Sequence, residues 1–203
     1  MSFLGKLFSR HKSKYLRIGI LGSPNAGKTT LANRMSDECE GDSQNGVVSP
    51  VPHETREIVE MDSCSLSHTS GKLDLTIVDT PGIATQIDYR EFMSHGLTKQ
   101  ESIERAKEAT RGVIKAIQSL DKIDAAVVVV DSATQPFDQV NWTIIGNLQA
   151  RNIPIVVAAN KVDLPASDTE LVKEVFQSDV VKLSALTGKG MDDLYNSIIT
   201  LAY

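Results

Sequence analysis

Residues 22–29 read Gly-Ser-Pro-Asn-Ala-Gly-Lys-Thr, two glycines separated by four residues and followed at once by a lysine and a hydroxyl. That spacing belongs to a loop whose backbone N–H groups wrap a di- or triphosphate. Gly22 and Gly27 keep Cβ atoms away from the anion, and Ser23, Pro24, Asn25 and Ala26 supply the backbone between them. A helix opening after Gly27 would add the partial positive charge of its N-terminus. Lys28 should reach the β- and γ-phosphates, the Thr29 hydroxyl should ligate Mg²⁺, and Thr30 sits beside it as a further nucleotide contact. Downstream, Asp79-Thr-Pro-Gly82 offers a carboxylate to complete a magnesium shell and a glycine N–H for a γ-phosphate. Taken alone, Asp-Thr-Pro-Gly is a common turn; its place after a phosphate loop favours the metal reading.

Two later segments bear on the base. Asn160-Lys161-Val162-Asp163 places a carboxylate where it can accept from two adjacent N–H donors of guanine, a pattern adenine lacks. Asn160 would brace the neighbouring loops and meet the purine edge, and the Lys161 stem would lie against the ring. Ser184-Ala185-Leu186 would approach from the other side, with the Ala185 N–H bonding the guanine carbonyl oxygen. By itself Asn-Lys-Val-Asp is an ordinary polar turn, and its position downstream of the two phosphate motifs reverses that. A phosphate-loop kinase acting on a small acceptor has no comparable guanine loop, so that reading fails here.

These segments need a frame that brings them to one edge. Tyr15–Leu21, Leu73–Val78, Ala125–Val130 and Ile153–Ala159 are short apolar, β-branched runs, and Val180–Leu183 is a shorter candidate. Ala125–Val130 has no polar face, so it reads as a central strand covered on both sides. Glu57–Cys64 could pair antiparallel with Leu73–Val78 through the polar turn Ser67–Gly71. Helices are expected over Gly27–Ser36, Lys99–Ser119, Asp138–Arg151, Asp168–Phe176 and Met191–Leu201. In the long one, Ile103, Ala106, Ala109, Val113, Ala116, Ile117 and Leu120 form the apolar stripe, with Lys99, Glu101, Glu104, Arg105, Lys107, Glu108, Arg111 and Lys115 on the solvated side. Asp37–Pro52, acidic and rich in Gly, Ser and Asn, reads as a long loop. The whole is an α/β fold of three layers, a mostly parallel six-stranded sheet with one antiparallel strand and helices on both faces. Every motif then falls at the carboxyl end of a strand, where open α/β sheets bind ligands.

Composition agrees. The 203 residues suit one domain, and 41% hydrophobic with 23% charged residues describe an ordinary globular chain. No run approaches the roughly 18 apolar residues of a membrane span. The net charge of −5 argues against a mainly electrostatic nucleic-acid binder, so RNA is not favoured as a partner. Cys39 and Cys64 are too few for a disulfide scaffold and fit a reducing, cytoplasmic setting. His11, His53, His68 and His95 show no metal-ligand spacing.

In the order phosphate loop, Asp-Thr-Pro-Gly, Asn-Lys-x-Asp and Ser-Ala-x-x-Gly, the chain resembles the translation-factor-related GTPases. Within them it resembles the Era-like branch, through Gly-x-Pro-Asn-Ala-Gly-Lys-Thr and through Glu54-Thr55-Arg56 ahead of a strand. Val51–Arg56 and Asp79–Phe92 bring it nearer to stand-alone archaeal Era-like GTP-binding proteins. The resemblance covers about residues 16–202 and implies a single GTP-binding domain over 15–203, a Mg²⁺ cofactor and slow hydrolysis of GTP to GDP and phosphate. It implies a first switch at about 38–57, in which Thr55 closes over Mg²⁺ and the γ-phosphate, and a second at about 79–112. These are the surfaces for a protein effector.

Two departures follow. Bacterial Era-type proteins carry a C-terminal RNA-binding domain and this chain stops at the last helix, so a regulatory switch is expected ahead of a ribonucleoprotein-assembly role. Ile83 stands where Ras-like enzymes place the glutamine that orients water, so turnover should be slow. In related potassium-dependent enzymes an asparagine at the position of Asn25 helps hold K⁺ beside the phosphates, which makes Asn25, with Lys28 and Thr55, a candidate catalytic group. Gln86 and Arg90 also lie in the second switch, with no spacing argument for either. Residues 1–14 form a basic amphipathic extension, with Phe3, Leu4, Leu7 and Phe8 on one face, fit for an anionic membrane surface or for docking on protein. A dimer of the GTP form across the nucleotide is left open.

Overall fold

A computed structural model describes residues 15–38, 59–68, 71–80, 89–136 and 139–202. β1 (Tyr15–Gly22) alternates its side chains between two covered faces, Leu16, Ile18 and Ile20 to one and Leu21 to the other. It lies between β3 (Gly71–Asp79) and β4 (Ala125–Asp131), parallel to both. β2 (Val59–His68) pairs antiparallel with β3 from Val59–Asp79 to His68–Gly71, and β5 (Ile155–Asn160) and β6 (Val180–Lys182) extend the other edge in parallel. The sheet order is β2-β3-β1-β4-β5-β6, five parallel strands with β2 reversed, as expected. The hairpin is longer than Glu57–Cys64 and Leu73–Val78 suggest, and it carries a register shift between Met61 and Cys64. Such an irregularity breaks the strict alternation by which a strand is read.

Helices α1 (Lys28–Asp37) and α6 (Met191–Ala202) cover one face, where Leu31, Met35, Leu194 and Ile198 meet Ile18, Ile20, Val127 and Val129. Helices α3 (Lys99–Ser119), α4 (Gln139–Ala150) and α5 (Thr169–Phe176) cover the other, where Ala116, Ile144, Leu148 and Val172 meet Leu21, Val78, Val128 and Val130. β4 is buried on both faces from Ala125 to Val130. Burying each such valine is worth about 1.5–3 kcal/mol, so the middle of the sheet is the rigid part of the scaffold.

Two features differ from expectation. A short helix, α2 (Tyr89–Ser94), precedes α3 and buries Phe92 fully; six residues are too few for helical periodicity to mark. The centre of the buried face of α3 runs through Ser102, Arg105, Ala109, Gly112, Ala116 and Ser119, while Ile103, Ala106, Val113 and Ile117 are half-buried at its flank. Arg105, assigned to the solvated side, is therefore buried. Small residues let the helix axis come close to its neighbours, and the larger apolar ones then pack beside the line of closest approach. The start of α3 is a capping box, Thr98 with Glu101. Among the described residues no helix is long and apolar enough to cross a membrane.

Candidate functional site

Gly22 ends β1 at φ 148°, and Gly27 caps α1 at φ 96°, both values that side chains disfavour. A Cβ on Gly22 would run into the Val129 carbonyl of β4, and one on Gly27 into the Asn160 amide. The two glycines are thus required by close approach as well as by conformation. Between them Asn25 adopts a left-handed φ of 61°, which asparagine tolerates, and its side chain is exposed. Pro24 is half-buried and Ala26 buried. The loop is braced from α4: the Ser23 hydroxyl donates to Asn141 Oδ1 at 3.1 Å, and Asn141 Nδ2 donates to the Pro136 carbonyl at 3.1 Å.

Lys28 and Thr29 open α1 beneath this loop. The buried Lys28 ammonium donates to the Ser23 carbonyl at 2.9 Å. Burial pulls its pKa down to about 8, against the attraction of Asp79, which raises it. Thr30, next in the helix, is half-buried. The Thr29 hydroxyl donates to Asp79 Oδ2 at 2.8 Å, which joins α1 to the end of β3. Burial raises the Asp79 pKa; the Thr29 hydrogen bond, Lys28 and the Thr80 backbone oppose it. The Thr80 hydroxyl, bonded to the Ile20 carbonyl at 2.8 Å, pins this strand end to β1.

Asp79 Oδ1 is buried and has no hydrogen-bond partner among the described residues. A carboxylate oxygen left over in such a place is costly unless something else takes it up. A hard dication that accepts one or two protein oxygens and completes its shell with phosphate and water fits this set, because Thr29, donating its proton to Asp79, keeps its lone pairs for the metal. The expected partners Thr55 and Gly82 lie outside the described residues, as do Ile83, Gln86 and residues 1–14; Arg90, on α2, is exposed.

At the other end of the loop Asn160 holds three segments together. Its Nδ2 donates to the Ala26 carbonyl at 2.8 Å, its Oδ1 accepts from the Ala185 N–H at 2.9 Å, and its carbonyl accepts from the Ser132 hydroxyl at 2.6 Å. The bracing role read from the sequence is present. The Ala185 N–H, the donor expected for the base, is bonded to Asn160 Oδ1 at the end of the neighbouring strand, a contact not visible in a four-residue pattern. Lys161 turns through φ 70°, and its ammonium pairs with Asp131 Oδ2 at 2.6 Å at the end of β4. Asp163 is exposed, so its carboxylate is presented to solvent. Ser184 is buried, and Leu186 is exposed. Arg34 on α1 donates from Nε to the Ala185 carbonyl at 2.5 Å and from Nη2 to the Leu186 carbonyl at 2.8 Å. Arg34, Asn141, Ser132 and Asp131 were not legible as site residues, since their role is to position loops distant in sequence.

The arrangement is a phosphate cradle over a carboxylate–hydroxyl pair, continuous through Asn160 with a loop that ends in an exposed carboxylate. The chain is 29% identical over 196 residues to GTPase Der of Marinomonas sp. (strain MWYL1), a match that takes in 92% of this chain and 38% of that protein. It spans well under half the length of that relative. Among solved structures, Era from Aquifex aeolicus bound to GDP and AlF4⁻ superposes with a TM-score of 0.71 at 22% identity, covering 92% of this chain and 56% of the other. Era in complex with MgGDPNP and nucleotides 1506–1542 of 16S ribosomal RNA gives a TM-score of 0.69 at 23% identity and the same coverage. Both share the fold. The family model described as 50S ribosome-binding GTPase matches residues 17–161, from the first strand through the Asn-Lys pair, and the chain belongs to that GTPase family.

Proposed function

We propose that this chain is a Mg²⁺-dependent, Era-like GTP-binding switch that hydrolyses GTP slowly to GDP and phosphate. The observation that carries the reading is the pairing of Thr29 with Asp79 at 2.8 Å beside a buried, unpartnered carboxylate oxygen and the Lys28 ammonium. Magnesium, when bound, would be held by Thr29 and Asp79, joined by Thr55, and would offset charge on the β- and γ-phosphate oxygens as water attacks the γ-phosphorus in line. Gly22–Gly27 would bind the phosphates through backbone N–H groups, with the Gly82 N–H meeting the γ-phosphate and Thr30 adding a nucleotide contact. Lys28 would neutralise the oxygens on which charge grows. Asn160, Lys161 and Asp163 would hold the base, with Ser184–Leu186 closing over it.

Ile83 has no group to orient water, which supports a slow intrinsic rate. Asn25 supports potassium stimulation: its exposed side chain, on a left-handed backbone, offers a carbonyl oxygen beside the phosphates. The test is hydrolysis by the purified protein with Mg²⁺ in matched K⁺ and Na⁺ buffers, beside ATP. Hydrolysis of GTP and not ATP, faster in K⁺, supports the reading; equal rates in the two salts remove the role of Asn25. Tight GTP binding with negligible turnover in both moves catalysis to a partner acting on the switches.

A second reading, an assembly GTPase on a ribonucleoprotein, is favoured by the family description and by the RNA-bound Era neighbour. Co-sedimentation with ribosomal particles in GTP and not in GDP would select it.

A further inference from the structure

β1 runs inside the sheet between β3 and β4, yet its third residue is Arg17, half-buried on the same face as Leu21, the face that α3 covers. A strand covered on both sides ordinarily carries apolar residues there. The charge is held in place: Arg17 Nε donates to the Lys122 carbonyl at 2.9 Å, and its backbone N–H to Asp124 Oδ2 at 2.8 Å. Two positions on, Gly19 presents no side chain, and Ile123 lies over it, 2.6 Å from where a Cβ would stand. From the other layer α3 presents Ala116 and Ser119, the serine hydroxyl turned back onto the Ala116 carbonyl at 2.7 Å. Small groups on both layers leave a cavity of about 400 Å³ between the end of α3 and the sheet.

The lining is uneven in a particular way. Val78 and Ile123, both buried, give it an apolar floor, whereas Arg17, Lys115 and Lys122 bring three positive charges to its margin, with the Gln118 amide beside them. No acid is among the described residues that line it; Asp124, which accepts from the Arg17 backbone, is not one of them. Lys115 also closes a row, Lys107, Arg111 and Lys115, set at intervals of four along α3. Like charges so spaced repel along a helix. The helix dipole rewards bases in the last turn, and the last turn of α3 holds none. The row makes a positive approach to the cavity.

We propose that this cavity is a second ligand site, separate from the phosphate loop, which takes a small organic anion: a phosphate ester or carboxylate whose apolar body rests on Val78 and Ile123 while its charged group meets Arg17, Lys115 and Lys122. Its volume lies in the range of small-molecule sites, about 300–1,000 Å³. The apolar floor excludes water from one side of the anion, which strengthens its pairing with the cations above. Val78 immediately precedes Asp79, so the ligand rests against the strand end that carries the carboxylate proposed for magnesium. The inference stands apart from the guanine reading, since none of its residues belongs to that site.

The test is titration of the full chain, with GDP and Mg²⁺ in excess to occupy the phosphate loop, by four probes: phenyl phosphate, benzoate, inorganic phosphate and phenol. Binding is followed through the backbone amide signals in nitrogen–proton correlation spectra. Phenyl phosphate or benzoate should shift the signals of Arg17, Val78, Gln118, Lys122 and Ile123. It should bind at least about tenfold more tightly than inorganic phosphate or phenol, the size of one charge-assisted contact, and whichever of the two binds better identifies the charged group. Lys115→Glu and Lys122→Glu, at exposed residues, should each weaken that probe about tenfold and leave the melting temperature and GDP affinity unchanged, whereas Lys122→Arg should retain it. If Lys115→Glu disturbs α3, the loss is required of Lys122→Glu. Affinity no better than that of inorganic phosphate or phenol, shifts confined to residues 22–29, or equal binding by the charge-reversed variants overturns the proposal. Folded protein that shows the expected shifts and does not bind GDP overturns the guanine reading and leaves this site standing.

Discussion

The two ends of the site are built by different means. At the end proposed for the phosphates, seven consecutive residues, Gly22 to Lys28, would present mainly backbone to the ligand. At the base end the surface is assembled from side chains reaching across the fold: Asn160 to Ala26, 134 positions away, and Arg34 to Ala185, 151 positions away. A backbone cradle depends on conformation that glycine permits, so it is broken by adding atoms. A loop held by hydrogen bonds is broken by removing them. Gly27 belongs to both, since its missing Cβ leaves the space that the Asn160 amide occupies.

The comparison sets an order of effects. Gly27→Ala meets a φ of 96° and the Asn160 amide together, and should lower GDP affinity at least about a hundredfold by fluorescence titration, with loss of cooperative melting as the check for damage beyond the site. Asn160→Ala should fall next, about tenfold to a hundredfold, because three segments lose a common partner. Asp163→Asn should cost GTP about as much while raising affinity for xanthosine triphosphate, and should leave the melting temperature unchanged because the residue is exposed. Ser23→Ala removes one brace of the cradle, the bond to Asn141 at 3.1 Å, and should weaken GDP only about twofold to tenfold.

pH separates the ends without mutation. Lys28 has a folded-state pKa of about 8, below its ordinary 10.5, so without nucleotide the unfolded chain binds more protons between those values. Stability of the nucleotide-free protein should therefore rise as pH climbs from about 8 towards 10.5, as the cost of burying the charge is relieved. Phosphate binding needs that charge, so GDP affinity should fall as pH passes 8, by a slope approaching tenfold per unit. Asp163→Asn should leave that slope intact; a flat profile from pH 7 to 9 would place Lys28 away from the phosphates.

The same division governs how much the amino-acid sequence discloses. The phosphate loop, the Asp79 strand end and the Asn-Lys-Val-Asp turn are local patterns, and the strands and long helices that carry them follow from runs of β-branched residues and helical spacing. Arg34 is one polar residue on a helix, Asn141 one asparagine beyond a proline, and nothing near either announces a partner across the sheet. The hydrogen bond from the Ala185 N–H to Asn160 was not legible for a related reason: the pattern specifies the loop, and an asparagine at the end of the neighbouring strand takes up one of its donors. Helix α3 errs differently. A stripe count weights apolar residues, whereas the buried face also ran through Ser102 and Gly112 and carried Arg105 inward with them.

β1 has a consequence for how the molecule is made. Its neighbours are β3, whose Asp74 pairs with Tyr15, and β4, whose Ala125 pairs with Ile18, so β1 must wait for partners that are synthesised after it. The cradle is complete in covalent terms by Thr29, yet its brace from Asn160, and the grip of Arg34 on Ala185, arrive only with the last third of the chain. A nascent chain released before Asn160 would carry an intact phosphate motif and none of the residues proposed to read a base.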